Sequence, residues 1–453
     1  MVTAAPAIEG LRSQFKGQVV LPDDASYEAA RGVWNGNIDR HPAVVARCTS
    51  VADVKAAVLY AKAHGLVVAV RGGSHNAAGH GTCEGGIVID TSPMKAIEVD
   101  PIELIARAEP GLTWAEFDAA TLAHGLATTG GTVSNTGIAG LTLGGGIGWL
   151  MGQHGLTIDN LLAVELVTAE GKLVRADNLT NPDLYWALRG GGGNFGVVTA
   201  FEYQLHPVPA EVLGGMAIYT LDRAPDALRF AREFAPTLPD EAAMAAAVLT
   251  APDGPPVVAI IVAYNGEIAA GQRLFAPITE RLGEPIQNVI GPMPYAVRQT
   301  LLDEPNAIHG LQRYWKSGFT ETISDELIAA VMAAGSSFTS PLSAMLFIYV
   351  SGAATRVPAD ATAFGLRKAQ WDVNVIGQWA DPTESPQHIA WAKANWAKFE
   401  PLISGAAYLN HLAADDSIEK VRASYGPNLE RLTAAKRQYD PGNLFRLNAN
   451  IVP

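Results

Sequence analysis

Apolar and polar positions first alternate in short stretches. Val44–Arg47 is an apolar, β-branched run, and Ser50 after it can cap a helix from Val51 to about His64, which Gly65 can end. The run 67–70 predicts a strand that stops at Arg71-Gly72-Gly73-Ser74-His75. Ile87–Asp90, 96–99 and 104–108 read as three more strands, and Thr113 caps a second helix over 114–124, with Gly125 at its end. Segments 161–168 and 172–175 predict a hairpin around Ala169-Glu170-Gly171. Asn181-Pro182 opens a helix to Leu188, and 197–205 is again a strand. From about residue 210 the pattern changes. Apolar strands (216–221, 257–264, 343–350) alternate with Ala-rich helices near 224–234, 268–282 and 325–334. This predicts a second sheet covered by helices. Around Tyr408 the chain reverts to the style of its first half. The expected class is α+β, and no repeat with a period of 20–50 residues interrupts it.

Composition narrows the function. The 453 residues suggest two or three domains. Hydrophobic residues make up 48% and charged residues 17%, against ~25% charged on average, which favours a large buried core. Lys and Arg number 32 against 45 Asp and Glu, a net charge of −13. That opposes a nucleic-acid binder or a partner of anionic membranes, both of which need positive surface. Two cysteines, Cys48 and Cys83, exclude a disulfide framework and a four-Cys metal site and fit a reducing compartment. The start of the chain lacks a basic segment followed by an apolar one, and no apolar run reaches the ~18 residues of a membrane span. A soluble cytoplasmic protein is expected. The ten His show no H-x-x-x-H or H-E-x-x-H spacing, so no metal is expected.

Glycine carries the strongest signal. Residues 130–148 hold eight Gly. Gly loses the most backbone entropy on folding, so such a run implies close approach of a ligand or another segment. Gly191, Gly193 and Gly196 fit G-x-G-x-x-G. They follow a helix and lead into a strand, the reverse of the dinucleotide fingerprint, so a Rossmann site is rejected. Arg71-Gly72-Gly73-Ser74-His75-Asn76 closes a buried-looking strand with a turn rich in N–H donors, which suits an anion such as a pyrophosphate. A single loop His is equally a hydrogen-bonding residue, and that plainer reading is preferred for His80 and His154.

The order of these motifs is more specific than any one of them. RGGSHN is followed by TGGTVSNTGIAGLTLGGGIG, then NPDLYWALRGGGGNFGVV, and the chain closes on YDPGNLFRLNANI. This order resembles the FAD-linked oxidases of the vanillyl-alcohol oxidase superfamily, in the berberine bridge enzyme-like branch, and is similar in motif style to bacterial hydroxynicotine oxidases. The resemblance implies a lead segment (1–37) and a two-subdomain FAD-binding PCMH-type domain (38–208). It further implies an antiparallel-sheet substrate domain covered by helices (209–406) and a C-terminal segment (407–453) that returns to the FAD domain.

The resemblance also implies roles for residues. His75 would be bonded covalently to the flavin, with Arg71, Gly72, Gly73, Ser74 and Asn76 around the pyrophosphate. Gly130, Gly131, Gly140, Gly144, Gly145, Gly146 and Gly148 would let the backbone approach the flavin. Asp159, Asn160 and Val197 would lie on the adenine or pyrophosphate side, and Asn448 and Asn450 would return to the flavin. Many relatives carry a second link through a Cys, where this chain has Val133, so one link is expected. Cys83 is not taken as its substitute. The plant members' catalytic Glu has no counterpart near 361–367. Tyr408 is then the first candidate for a base or substrate contact, with Asn410 and His411 as weaker candidates. Of Trp315, Tyr349, Trp371 and Trp379, most belong to the core and one or two line a pocket. Thr136, small at the position that gates oxygen in the family, favours an oxidase that makes hydrogen peroxide from a small-molecule alcohol or amine. Two alternatives stay open: a dehydrogenase with another acceptor, and a flavin-binding protein without catalysis.

Overall fold

Four β-sheets organise the chain in a computed structural model that describes residues 8–251 and 254–453. The first residues of the expected lead segment, 1–7, lie outside the described residues. The first sheet has the strand order Gln18–Val20, Val44–Arg47, Ile87–Asp90, Val68–Arg71. Its last three strands are parallel. The helix Val51–Ala63 crosses between Val44–Arg47 and Val68–Arg71, the two parallel strands that flank Ile87–Asp90. Ser50 caps it by accepting from the Asp53 N–H, and Gly65 after it sits at φ +62°, where glycine is favoured.

The second sheet is antiparallel, in the order Ile97–Asp100, Ile105–Ala108, Val197–Gln204, Leu161–Val167, Leu173–Asp177. Trp114–Leu122 packs on it, and its start carries a full capping box between Thr113 and Glu116. A two-stranded pair, Leu126–Ala127 with His206–Pro207, lies at its margin.

The eight-stranded antiparallel sheet is built from residues 211–379. Its central strands include Pro256–Tyr264, Ala242–Thr250, Ala344–Val350 and Gln370–Trp379. Ala224–Phe234, Ile268–Leu282, Asp325–Gly335 and Ser385–Phe399 cover one face. Ala242–Thr250 shows how both faces are used. Ala242, Met244, Ala246 and Val248 join the helix-side core, while Ala243, Ala245 and Ala247 face Ile147, Trp149 and Tyr408. This is the period of two that a strand imposes. The large sheet thus presents its second face to the glycine-rich segment. Among the described residues no helix is long and apolar enough to cross a membrane.

Candidate active site

A cleft runs from the end of the Val68–Arg71 strand to the second face of the large sheet. At its first end the chain turns through Gly72–Asn76. Ser74 takes φ +60°, and among the described residues the backbone N–H groups of 73–76 donate to no other backbone group. Such a row of free donors is an anion nest. Arg71 is buried, and its guanidinium turns onto the carbonyls of Ala30, Arg31 and Gly81, so it braces the loop. A Cβ on Gly73 would stand 2.4 Å from the Gly137 nitrogen. The two glycines therefore let the nest meet the start of the helix Ile138–Gly144, an element the sequence did not reveal inside its Gly run.

His75 lies in this cleft, stacked on the buried Trp34 with ring centroids 4.1 Å apart. Arg313 covers the indole at 3.7 Å. The His75 Nε2 is 3.1 Å from the Asn135 Oδ1, and the Asn135 amide nitrogen is committed to the Ala307 carbonyl. The amide oxygen can only accept, so Nε2 carries the proton and the lone pair falls on Nδ1. Burial, with Arg313 and His309 nearby, pushes the imidazole pKa down to about 3.

Gly140, Gly144, Thr136, Val133 and Asn448 also line the cleft. A Cβ on Gly140 or on Gly193 would meet nothing within 4 Å, so both backbones look into open space. Asn448 holds Gly193 through its amide nitrogen, and its buried Oδ1 has no partner among the described residues. Open glycines, free N–H donors and an orphaned amide oxygen fit a flat, polyanionic cofactor such as FAD.

Several expected residues stand away from the cleft. Asp159 accepts both nitrogens of the Arg367 guanidinium, at 2.7 and 2.8 Å, and caps Leu156. Asn160 is bonded to the His154 and Leu156 carbonyls and to His206. Val197 points to the opposite face of its strand, into the core with Val54 and Ile89, and Val198 lines the cleft instead. Gly130 and Gly131 abut Trp114, and a Cβ on Gly148 would fall 1.7 Å from the Gly130 oxygen. Gly145 and Gly146 back onto Phe364 and Thr157. Asn450 does not reach the lining either. These glycines serve chain-to-chain packing, which the sequence alone cannot distinguish from approach to a ligand.

The far end is apolar, with Leu302, Leu346, Ile348 and Ile376 around Trp315. Trp371, Trp379 and Tyr349 are core residues. Tyr408 and His411 are the ionisable groups here. The Tyr408 Oη accepts from the Gly146 N–H at 2.7 Å and from the Asn410 Nδ2 at 2.7 Å. Phe364, from the 361–367 segment, meets the Tyr408 ring edge-on. His411 donates from Nδ1 to the Asp372 Oδ2 at 2.9 Å. Sequence patterning singled out neither Asp372 nor Trp34 and Asn135. The polar positions of the alternating Gln370–Val375 stretch were the one available hint for Asp372.

Two family models match the chain, an FAD binding domain over residues 42–177 and a berberine and berberine like segment over residues 407–452. The chain is 31% identical over 455 residues to (R)-6-hydroxynicotine oxidase of Paenarthrobacter nicotinovorans, covering 97% of each. The chain belongs to the berberine bridge enzyme-like FAD-linked oxidoreductases. An FAD-linked oxidoreductase of Dictyostelium discoideum is 30% identical over 424 residues, 93% of this chain and 91% of that one. The crystal structure of 6-hydroxy-D-nicotine oxidase from Arthrobacter nicotinovorans superposes with a TM-score of 0.88 at 29% identity, covering 100% of each chain. The fold is therefore the PCMH-type, α+β architecture of this family, and the protein is an FAD-dependent oxidoreductase.

Proposed function

We propose that this oxidoreductase is an oxidase that holds FAD through one covalent bond, to His75, and oxidises an alcohol or amine carbon of a small molecule. The observation that carries the reading is one continuous cleft, with the nest and His75 at one end and Tyr408 and His411 in an apolar chamber at the other. When bound, the flavin supplies a two-electron acceptor that takes a hydride. The protein's task is position and proton handling.

Residues Gly73 to Asn76 offer backbone donors to the pyrophosphate. Asn135 and Trp34 hold the His75 imidazole in one orientation, and its low pKa keeps it neutral, as a nucleophile must be. Val133 lines the cleft and offers no sulfur, while Cys83 is buried elsewhere, which supports a single link. Tyr408 already accepts two hydrogen bonds, so its own proton is free to be given to substrate. Burial pushes its pKa up to about 12, which makes the phenol a donor and not a base near neutral pH. Thr136 is small and lines the cleft, leaving room for oxygen. Both cysteines are free and buried, which fits a reducing cytoplasm.

The test is acid precipitation of the purified yellow protein beside His75→Ala. Colour in the wild-type pellet and not in the variant supports the link. Colour released from both refutes it. Peroxide formed under air with a reducing substrate separates oxidase from dehydrogenase.

A further inference from the structure

One buried carboxylate in the large sheet sits behind His411 of the cleft lining and has no fixed cation among the described residues. Asp372 lies in the strand Gln370–Trp379 with a fully buried side chain. Its Oδ2 accepts from the His411 Nδ1 at 2.9 Å and from the Asn374 Nδ2 at 3.0 Å, and its Oδ1 has no partner among the described residues. Burying a carboxylate with an unsatisfied oxygen is costly unless a positive charge forms beside it. Among the described residues His411 is the group in contact that can supply that charge. The carboxylate fixes its proton on Nδ1, so the Nε2 lone pair is left free, and no described protein group takes it.

The imidazole is held in place from several sides. Trp315 stacks on it at 4.9 Å, and the Trp315 indole N–H is itself anchored on the Asn374 Oδ1 at 2.8 Å. Tyr408 meets it edge-on at 4.9 Å. Ser317 donates to the His411 carbonyl at 3.0 Å. Asp415 and Asp416, a few residues on, are paired with Lys316, Lys393 and Lys420. The ionisable groups in contact with His411 are therefore Asp372 and Tyr408.

Resting on the oxidase reading above, we infer that His411, oriented by Asp372, is the proton acceptor of the reaction, and that the substrate is a secondary alcohol with a largely hydrocarbon body. An alcohol needs a base, because its O–H proton must leave as the carbonyl forms. A neutral amine donates its hydride without one. A sugar needs many polar contacts, and the walls here are Leu302, Leu346, Ile348, Ile376 and Trp315. In the step, the O–H proton passes to the His411 Nε2. The C–H bond breaks with its electron pair going to the bound flavin, and C–O becomes C=O. The imidazolium formed is paired with Asp372. Tyr408 would donate to the substrate oxygen meanwhile; the imidazolium proton, with the proton and two electrons of the transferred hydride, would then leave with oxygen as hydrogen peroxide.

The experiment uses the flavin-loaded enzyme. Anaerobic bleaching of the flavin is followed with 1-phenylethanol and longer aryl-alkyl carbinols, with 1-phenylethylamine, and with cellobiose, from pH 5 to 9. The expected result is reduction by carbinols only. His411→Asn should lose ~10²–10⁴ in that rate. Asp372→Asn should slow reduction while the flavin spectrum stays intact. Nitrogen-15 NMR of histidine-labelled protein gives a second readout, independent of turnover. His411, assigned by its loss in His411→Asn, should be the Nδ1–H tautomer in the wild type and lose that preference in Asp372→Leu, which removes the acceptor. Bleaching by the amine or the sugar in preference to every carbinol overturns the substrate class. Bleaching by no member of the panel overturns it as well. An Nε2–H tautomer, or an unchanged rate in His411→Asn, overturns the base. Protein that carries no flavin at all would instead sink the oxidase reading on which this rests.

Discussion

Gly140→Ala should act in opposite directions on the empty protein and on flavin binding. Gly140 lies inside the helix Ile138–Gly144, and a Cβ there meets nothing within 4 Å. In the empty protein the methyl group adds helix propensity, worth about 0.5–1 kcal/mol, or roughly 1–2 °C in Tm for a chain of this size. If the open space belongs to the flavin, the same methyl overpacks it, which costs about 1–3 kcal/mol. At about 1.4 kcal/mol per tenfold, FAD affinity should fall roughly 5- to 150-fold. The binding measurement belongs in a His75→Ala background, where FAD can be held only reversibly, with flavin fluorescence as the readout. Calorimetry of the flavin-free protein gives the Tm. Gly137→Ala is the comparison. Its Cβ would stand 2.4 Å from the Gly73 nitrogen, so it should lower stability and binding together. An unchanged FAD affinity in Gly140→Ala, with Tm intact, would refute the claim that this helix faces the flavin.

Arg367→Ala leaves the Asp159 carboxylate buried without its partner, and should lower stability by about 3–5 kcal/mol in urea unfolding. Tyr408→Phe removes the acceptor of the Gly146 N–H and the Asn410 amide. It should slow flavin reduction by roughly 5- to 150-fold, the equivalent of about 1–3 kcal/mol, and leave the pH profile below 9 unmoved, because Tyr408 ionises near 12. The third prediction concerns acid. His75 has a folded pKa of about 3, below its unfolded value of ~6.5. The unfolded chain therefore binds the proton first, and stability is lost as pH falls below ~6.5, by up to about 3 kcal/mol at pH 4. His75→Asn should flatten that part of the apoprotein's stability curve; a curve as steep as wild type would contradict the shift.

Much of the first half was legible because its signals are local. Ser50 and Thr113 cap helices where the sequence places them, and the Arg71–Asn76 turn ends a buried strand. Less could be read from the glycines. Gly140 and Gly193 look into the cleft, while Gly130, Gly146 and Gly148 meet other chain segments. Both demands remove a side chain for the same steric reason, so composition cannot separate them. The pairing of Asp159 escaped for a related reason. Its partner Arg367 is 208 residues away, and long-range pairing leaves no local pattern.

The strands that went unread explain why Asp372, the partner of the candidate His411, did too. Ala242–Thr250 reads as a helix former, yet it is buried on both faces, and tertiary context overrides propensity there. Gln312–Thr320 carries no regular alternation. Gln370–Trp379 does alternate from Gln370 to Val375: Trp371, Val373 and Val375 join the helix-side core, while Asp372 and Asn374 take the opposite face. Such a pattern reads as a strand with one solvated face. Here the polar face is buried as well, because the segment after Tyr408 brings His411 onto Asp372 from 39 residues away. The periodicity marks the strand and cannot mark the burial of its polar side, since the covering segment leaves no local pattern. A carboxylate on a buried face needs a partner, and that requirement leads from Asp372, through one hydrogen bond, to His411.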